Sequence, residues 1–430
     1  MPPRRAPRSV AYKARFKALY SLAKVKIRQH LFLSLRILTA VAAMPLANPQ
    51  RAPLRAAGLY YLFYAMLSRR PRPGIAQPIQ IRLVTFLTQD PAYFPMHTRF
   101  QLRHIRRLFD CLQIPLNFVL DNGTWIGGEI GLMICLFLLA SPHRLVDLEE
   151  ICGREFTTLC RIRKWVIQYI HNQHVHRIKN YLQWHLQWIL PSRTAIRRKK
   201  LRLSTQVPQQ ISWLSRNVSW IIDGFRVAAS RPDDSNIGLN MQALLYSGFT
   251  GDHDLLWQNV VSPYGLLVDT YGPIGGANND LVALQRSNIL VRFQQACAAA
   301  GINPLEHDMG GDKIYLRLQN LVPLHRGLLN VQQRIDNIQD SQVRVSIEHF
   351  NGKVMNNWRS LSFPLGSKIQ RSTVGQWVEV AMILTNAHTL LYGSQVHEYF
   401  QDPANPLDLR MPTLESYFQR PAVPEPINYF

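Results

Sequence analysis

Trp220-Ile221-Ile222-Asp223-Gly224 is an apolar strand that closes on a carboxylate and a glycine, and it marks a change in the character of the chain. Beyond about residue 210 the apolar residues fall into short runs bounded by turn formers. Ser219 to Ile222, Leu255 to Ser262 and Leu266 to Pro273 read as strands, and Ser262-Pro263-Tyr264-Gly265 joins the last two as a hairpin. The pattern then predicts a helix over Asp280 to Ala300, stopped by Gly301, and an apolar strand over Ile314 to Leu318 just after Gly310-Gly311-Asp312. Helices over about Ser341 to Trp358 and Val374 to Tyr392 follow, ahead of a tail rich in proline.

Strand, hairpin, helix, strand, helix is the order of an RNase H-like α/β nuclease domain with a mixed sheet. In that fold Asp223 ends the first strand, Asp312 lies by the strand after the first helix, and Glu348 sits on the late helix. Carboxylates brought together this way suit two Mg2+ or Mn2+ ions, because hard oxygen donors match these cations and the ions relieve the mutual repulsion. Asp280 is a further acid for such a site, although a helix N-cap role at Leu281 is sufficient reason for it. Arg344 stands one turn before Glu348 and would share its face, either orienting the carboxylate or holding phosphate, or forming a plain surface ion pair. Asp252, Asp254, Asp269, Asp233 and Asp234 compete as acids but do not fall at the required fold positions.

Several blocks occur in an order that resembles the PIF/Harbinger transposases. They are Ile222-Asp223-Gly224, Tyr246-Ser247-Gly248, Val260-Val261-Ser262-Pro263-Tyr264-Gly265 and Tyr271-Gly272-Pro273-Ile274-Gly275-Gly276. Gly311-Asp312-Lys313-Ile314-Tyr315 is similar to that family's Gly-Asp-x-x-Tyr block. Arg344-Val345-Ser346-Ile347-Glu348-His349-Phe350-Asn351-Gly352-Lys353 is similar to its helix bearing the glutamate. The 35 residues between Asp312 and Glu348 are a spacing typical of Asp-Asp-Glu transposases. Asn279, where the family commonly has His, and Leu316, where it has Pro, depart from the pattern. The resemblance covers about residues 210 to 395 and, more loosely, 95 to 185. It implies a DNA endonuclease and transposase that cuts transposon ends and joins them to target DNA, or a catalytically silent DNA-binding descendant. It also implies a Myb-like accessory partner, and it leaves room for a homo-oligomer.

Working back from the nuclease region, Arg193, Arg197, Arg198, Lys199, Lys200 and Arg202 follow Pro191 and read as a basic linker over 191–209. Such a run is either a solvated segment or a grip on backbone phosphate. Residues 91–190 read as a helical domain, with helical spacing in Phe100 to Leu112, Glu129 to Leu139 and Phe156 to Ile170. Within it, Leu145 to Cys152, Gly153 and Phe156 to Ile170 form a helix, a tight turn and a helix, so an ordinary hairpin and a helix-turn-helix both fit. On the second reading Thr157, Thr158 and Arg161 would face the DNA bases.

Lys and Arg outnumber Asp and Glu by 49 to 27, a formal charge of +22 that attracts polyanions. No acid precedes Asp90, so residues 1–90 form a basic, proline-broken arm suited to phosphate contact or nuclear import; a transit peptide to an organelle fits the same composition. The run Ile130 to Ala140 is too short to cross a bilayer, so no membrane segment is expected. Five spread cysteines without a CxxC pair indicate neither a disulfide framework nor a zinc knuckle. His171, His174 and His176 lack acid or thiol partners in sequence and read as a helical surface. Residues 396–430 read as a Pro-rich tail.

Overall fold

The computed structural model describes residues 79–90, 92–206, 217–232, 240–363, 369, 372–401 and 409–419. The basic arm over residues 1–78 lies outside them. The described residues belong to a compact unit spanning Pro78–Phe430.

The first helix, α1 (Ile79–Thr88), buries Leu83 and Leu87, so the helical part starts before residue 91. After α2 (Tyr93–Thr98) and α3 (Leu102–Leu112) come a short hairpin not expected from the sequence, β1 (Asn117–Val119) with β2 (Trp125–Gly127), and then α4 (Gly128–Ala140). Helix α4 carries the most apolar run of the chain and is buried nearly all round. A 3-10 turn at Leu145–Leu148 leads into α5 (Glu149–Cys152). Gly153 follows at φ 65, and α6 (Phe156–His174) turns Leu159, Ile162, Val166 and Ile170 into the core. Two short helices, α7 (His176–Lys179) and α8 (Leu182–Leu186), come next.

The segment read as a basic linker is a helix, α9 (Ile189–Gln206), packed against the sheet and the long late helix. Pro191 is tolerated because it falls in the first turn, where no backbone hydrogen bond is lost. Ala195, Ile196 and Lys200 face inward, while Arg197 stays exposed.

The sheet runs β6-β5-β3-β7-β8, from β3 (Val218–Ala228), β5 (Asp252–Val261), β6 (Leu267–Gly275), β7 (Asp308–Gly311) and β8 (Leu321–Pro323). The two-residue β4 (Tyr246–Ser247), which follows α10 (Met241–Leu245), pairs with the start of β5. Strand β3 is antiparallel to β5 and parallel to β7, which is in turn parallel to β8, a mixed sheet consistent with a DDE nuclease domain. Alternation along β3 sends Trp220 and Ile222 to one face, against Phe293 and Met309, and Ile221 and Phe225 to the other, against the late helices. Both faces are therefore covered.

Two expectations are corrected here. The strand placed at Ile314 to Leu318 is a turn; the strands are β7 before it and β8 after it. Strand β7 ends in Gly310-Gly311, and the second glycine lets the Tyr315 ring lie where a Cβ would come within 2.8 Å of it. The helix expected over Asp280 to Ala300 is two, α11 (Asp280–Ser287) and α12 (Ile289–Ala299), broken at Asn288 with φ 52. Helices α13 (Val331–Asn357) and α14 (Val374–Tyr392) complete the domain, the first starting at a capping box of Asn330 and Gln333.

The described residues of the Pro-rich tail, 396–401 and 409–419, are partly helical and packed on the core. In α15 (Gln395–Phe400) and α16 (Leu414–Phe418), Val396, Phe400, Leu414, Tyr417 and Phe418 are buried, and Arg107 pairs with Glu415 at 2.8 Å. The histidine cluster is only in part a surface, with His176 exposed. His174 is buried and bonded to the Leu112 carbonyl, while His171 meets the buried Glu379 of α14 at 2.7 Å, where Lys179 also pairs with it.

Burial pushes the imidazoles of His185 and His388 from an ordinary value of 6.5 down to about 3. The fold thus holds them neutral, and below about pH 6.5 the unfolded chain takes up protons that the folded chain refuses. Their contribution to stability is present above that pH and drains away as pH falls toward 3. Thermal melts at decreasing pH should show Tm falling across this window, and His185→Phe should flatten the fall; an unchanged slope in that variant would remove His185 from the account.

Candidate active site

The parallel register that pairs Ile221 of β3 with Gly310 of β7, extended by two residues, puts Asp223 beside Asp312. Strand alternation gives both the same side, since each lies two residues past a paired position. Helix α11 begins at Asn279, whose side chain accepts the Val282 amide, so Asn279 and not Asp280 is the N-cap. That frees Asp280 to turn toward β3. A Cβ on Gly224 would stand 2.4 Å from Asp280 Oδ1, so this carboxylate fits against the strand only because residue 224 has no side chain. Glu348 comes from α13 and is half exposed.

These four acids line one cavity of about 460 Å³ together with Arg226, Phe249, Thr250, Asn279 and Arg344. Burial, with the neighbouring charges of Asp280 and Asp312, pushes the Asp223 carboxyl up to about 6, against the pull of Arg344. Asp280 is shifted upward by burial too, and burial beneath the acids drives the Tyr315 phenol far up. The carboxylates do not close on one another. Arg344 donates to Asp223 Oδ2 at 2.6 Å and to Glu348 Oε1 at 2.5 Å, standing between them. Among the described residues no three His, Cys, Asp or Glu side chains are spaced to hold a metal ion. The expectation of carboxylates near enough to share a cation is therefore met only in their common cavity, with a guanidinium in the intervening place. The donor chemistry, hard carboxylate oxygens from Asp223, Asp280, Asp312 and Glu348 on one cavity, suits Mg2+ or Mn2+.

The sequence reading missed the network that carries this arrangement. Gln258 of β5 donates to the Asp280 carbonyl at 3.2 Å and to the Tyr315 hydroxyl at 3.3 Å, and accepts from Ser287 at 3.1 Å. Arg226 binds Asp254 at 2.9 Å and the carbonyls of Gly276 and Asn278, holding the turn that delivers Asn279 and Asp280. Asp254 and Asp269 are thus structural, the latter paired with Arg292 at 2.6 Å. A sequence signal for Gln258 or Arg226 was hardly available, since each is a polar residue inside an apolar strand whose partner lies far along the chain.

The candidate DNA contacts divide. Thr157 is exposed and Thr158 half buried at the start of α6, and Arg161 pairs with Asp121 at 3.1 Å. Arg197 is exposed, and Arg198 is partly buried. Lys199 lies 3.6 Å over the Tyr399 ring. Lys200 is corrected outright: it is buried and paired with Asp340 at 2.7 Å, because α9 turns it toward α13, and it faces no surface that phosphate could reach.

Gly224→Ala should lower stability by about 1–3 kcal/mol through overpacking against Asp280. Denaturant titration of this variant and of the Gly224→Ala/Asp280→Gly pair checks the contact. The pair should lose less than the two single changes summed, and strict additivity would show that no such contact exists.

No curated protein and no solved structure matches the chain. Residues 222–386, which hold Asp223, Asp280, Asp312, Arg344 and Glu348, match the model of the DDE superfamily endonuclease family, and over that stretch the chain is similar to those endonucleases.

Proposed function

We propose that the chain is a metal-dependent DNA endonuclease of the PIF/Harbinger transposase type, which cuts transposon ends and transfers the freed strand to target DNA. The observation that carries the reading is the gathering of Asp223, Asp280, Asp312 and Glu348 around one cavity, inside the stretch similar to DDE endonucleases. Asp223, Asp312 and Glu348 would hold the divalent ions, with Asp280 beside them. When bound, such ions lower the pKa of the attacking hydroxyl and stabilise the leaving oxygen. Arg344 would leave Asp223 and Glu348 to take a phosphate oxygen of the strand, a bidentate pairing for which guanidinium is suited. Gln258 and Arg226 hold Asp280 and its turn in place and do not touch the reacting atoms.

The basic charge would supply sequence-independent affinity for DNA through counterion release, and Thr157, Thr158 and Arg161 would read bases from a helix-turn-helix, Arg161 exchanging Asp121 for the groove. Arg197 and Arg198 would meet backbone phosphate. The working place would be the nucleus, with a Myb-like accessory protein and a homo-oligomer as partners. A second reading, a silent DNA-binding descendant, draws on one feature: Arg344 satisfies Asp223 and Glu348 by itself.

Incubation with Mg2+ or Mn2+ and transposon-end DNA should give nicking by the full chain. Asp312→Asn, nearly isosteric, should cut at least about a hundredfold more slowly while binding DNA equally, because the lost interaction acts in the transition state. Binding should weaken steeply with salt. Tight, salt-sensitive binding without cleavage in either metal would select the silent reading, and no binding would reject both.

A further inference from the structure

Glu348 borders two cavities. Besides the acid cleft, it stands at the edge of a larger one of about 650 Å³ that runs along the outer face of α13 toward the end of α14 and the start of α15. That volume lies within the roughly 300–1,000 Å³ of small-ligand sites. Its walls bear groups that read hydrogen bonds without adding charge: His349, Asn356, Asn357, His388 and Gln395. Lys353 is its one cation, and the Lys353 ammonium is already bound to Thr389 Oγ1 at 2.9 Å and the Gly393 carbonyl at 2.8 Å. Asn357 Nδ2 and His388 Nδ1 are buried without a hydrogen-bond partner among the described residues, and His349 Nδ1 and Gln395 Oε1 bond to each other at 2.9 Å. A phosphate site would concentrate cations or backbone amides; this lining is instead matched to the edge of a neutral heterocycle.

Gly352 bears on the same point. It lies inside the 27-residue helix α13, where glycine is a poor helix former, yet a Cβ there would meet nothing within 4 Å. No packing constraint requires its small size; the side chain it lacks would project into the cavity it lines.

We propose that this cavity receives an unstacked nucleobase of the DNA strand whose phosphate lies at the acid cleft, with the strand passing over Glu348 from one cavity to the other. The inference rests on the nuclease reading above and assigns that site a base-binding pocket. Extrusion of a base is the general means by which enzymes gain edge contacts that stacking hides.

The test uses the full chain with two fluorescent single-stranded dodecamers, one of random sequence and one fully abasic, at low salt without divalent ions. Wild type should bind the random strand at least about fivefold more tightly than the abasic one, the worth of one or two net hydrogen bonds. Gly352→Leu fills the cavity while improving helix propensity, and should reduce that ratio toward one with abasic affinity unchanged and Tm maintained. Asn356→Ala, at an exposed wall position, should reduce it in part and serves if Gly352→Leu fails to fold. An unchanged ratio in both variants, or equal loss of affinity for both strands, overturns the pocket. Equal wild-type binding of the two strands overturns it as well and leaves the nuclease reading standing, whereas no binding of either strand removes that reading itself.

Discussion

Asp223 is a carboxylate placed by a buried strand among other carboxylates, and the fold balances it with Arg344. An acid in that position with no partner would cost several kcal/mol, or would take up a proton. The guanidinium reaches it across the sheet-helix interface and reaches Glu348 one turn further along α13 with its other nitrogen. The position of α13 over the open end of β3 is therefore an electrostatic requirement as well as a packing one, and α9 adds to it through Lys200 and Asp340. The cation that a nuclease would need and the cation that the resting fold uses compete for the same oxygens.

The sheet makes the site rigid where it matters. Strand β3 is covered on both faces and paired on both sides, so Asp223 has no freedom to leave its register. Asp312 sits just past the end of β7 and depends on the tight approach of Tyr315 to Gly311. Asp280 depends on Gly224, on Gln258 and on the turn held by Arg226. Asp223 rests on the central strand and Asp280 and Asp312 at element ends, while Glu348 rests on a long helix with its side chain half in solvent. Glu348 also lines the second cavity.

The helical part and the sheet are bound by buried ion pairs and are not merely joined by a linker. Glu379 inside α14 receives His171 and Lys179, and Arg292 ties Asp269 to the Lys179 carbonyl. A histidine triplet that looks like surface in sequence is in fact partly the seam. The same seam makes the α6 helix and the acid cavity parts of one core.

Local pattern determined much of this protein. Short apolar runs and the Ser262 to Gly265 turn specified β3, β5 and β6, and helical spacing specified α3, α4, α6 and α14, because each signal is carried by neighbours in the chain. Asp223 was legible at the end of an apolar run and Glu348 on a helix, whereas Asp312 follows β7 and not a strand over Ile314 to Leu318. Tertiary structure decided what depends on contacts remote in sequence. The strand by Asp312 lay before it and not after it, and ends where Tyr315 packs on Gly311; a run of basic residues was a helix because the sheet and α13 offered it a surface and Asp340 offered Lys200 a partner; the tail residues 409–419 were folded because Tyr417 and Phe418 found the core. Asn279 took the cap and freed Asp280 because Gly224 left room for it. Charge and hydropathy along a chain say which groups need partners, and only the packed structure says which partners they get.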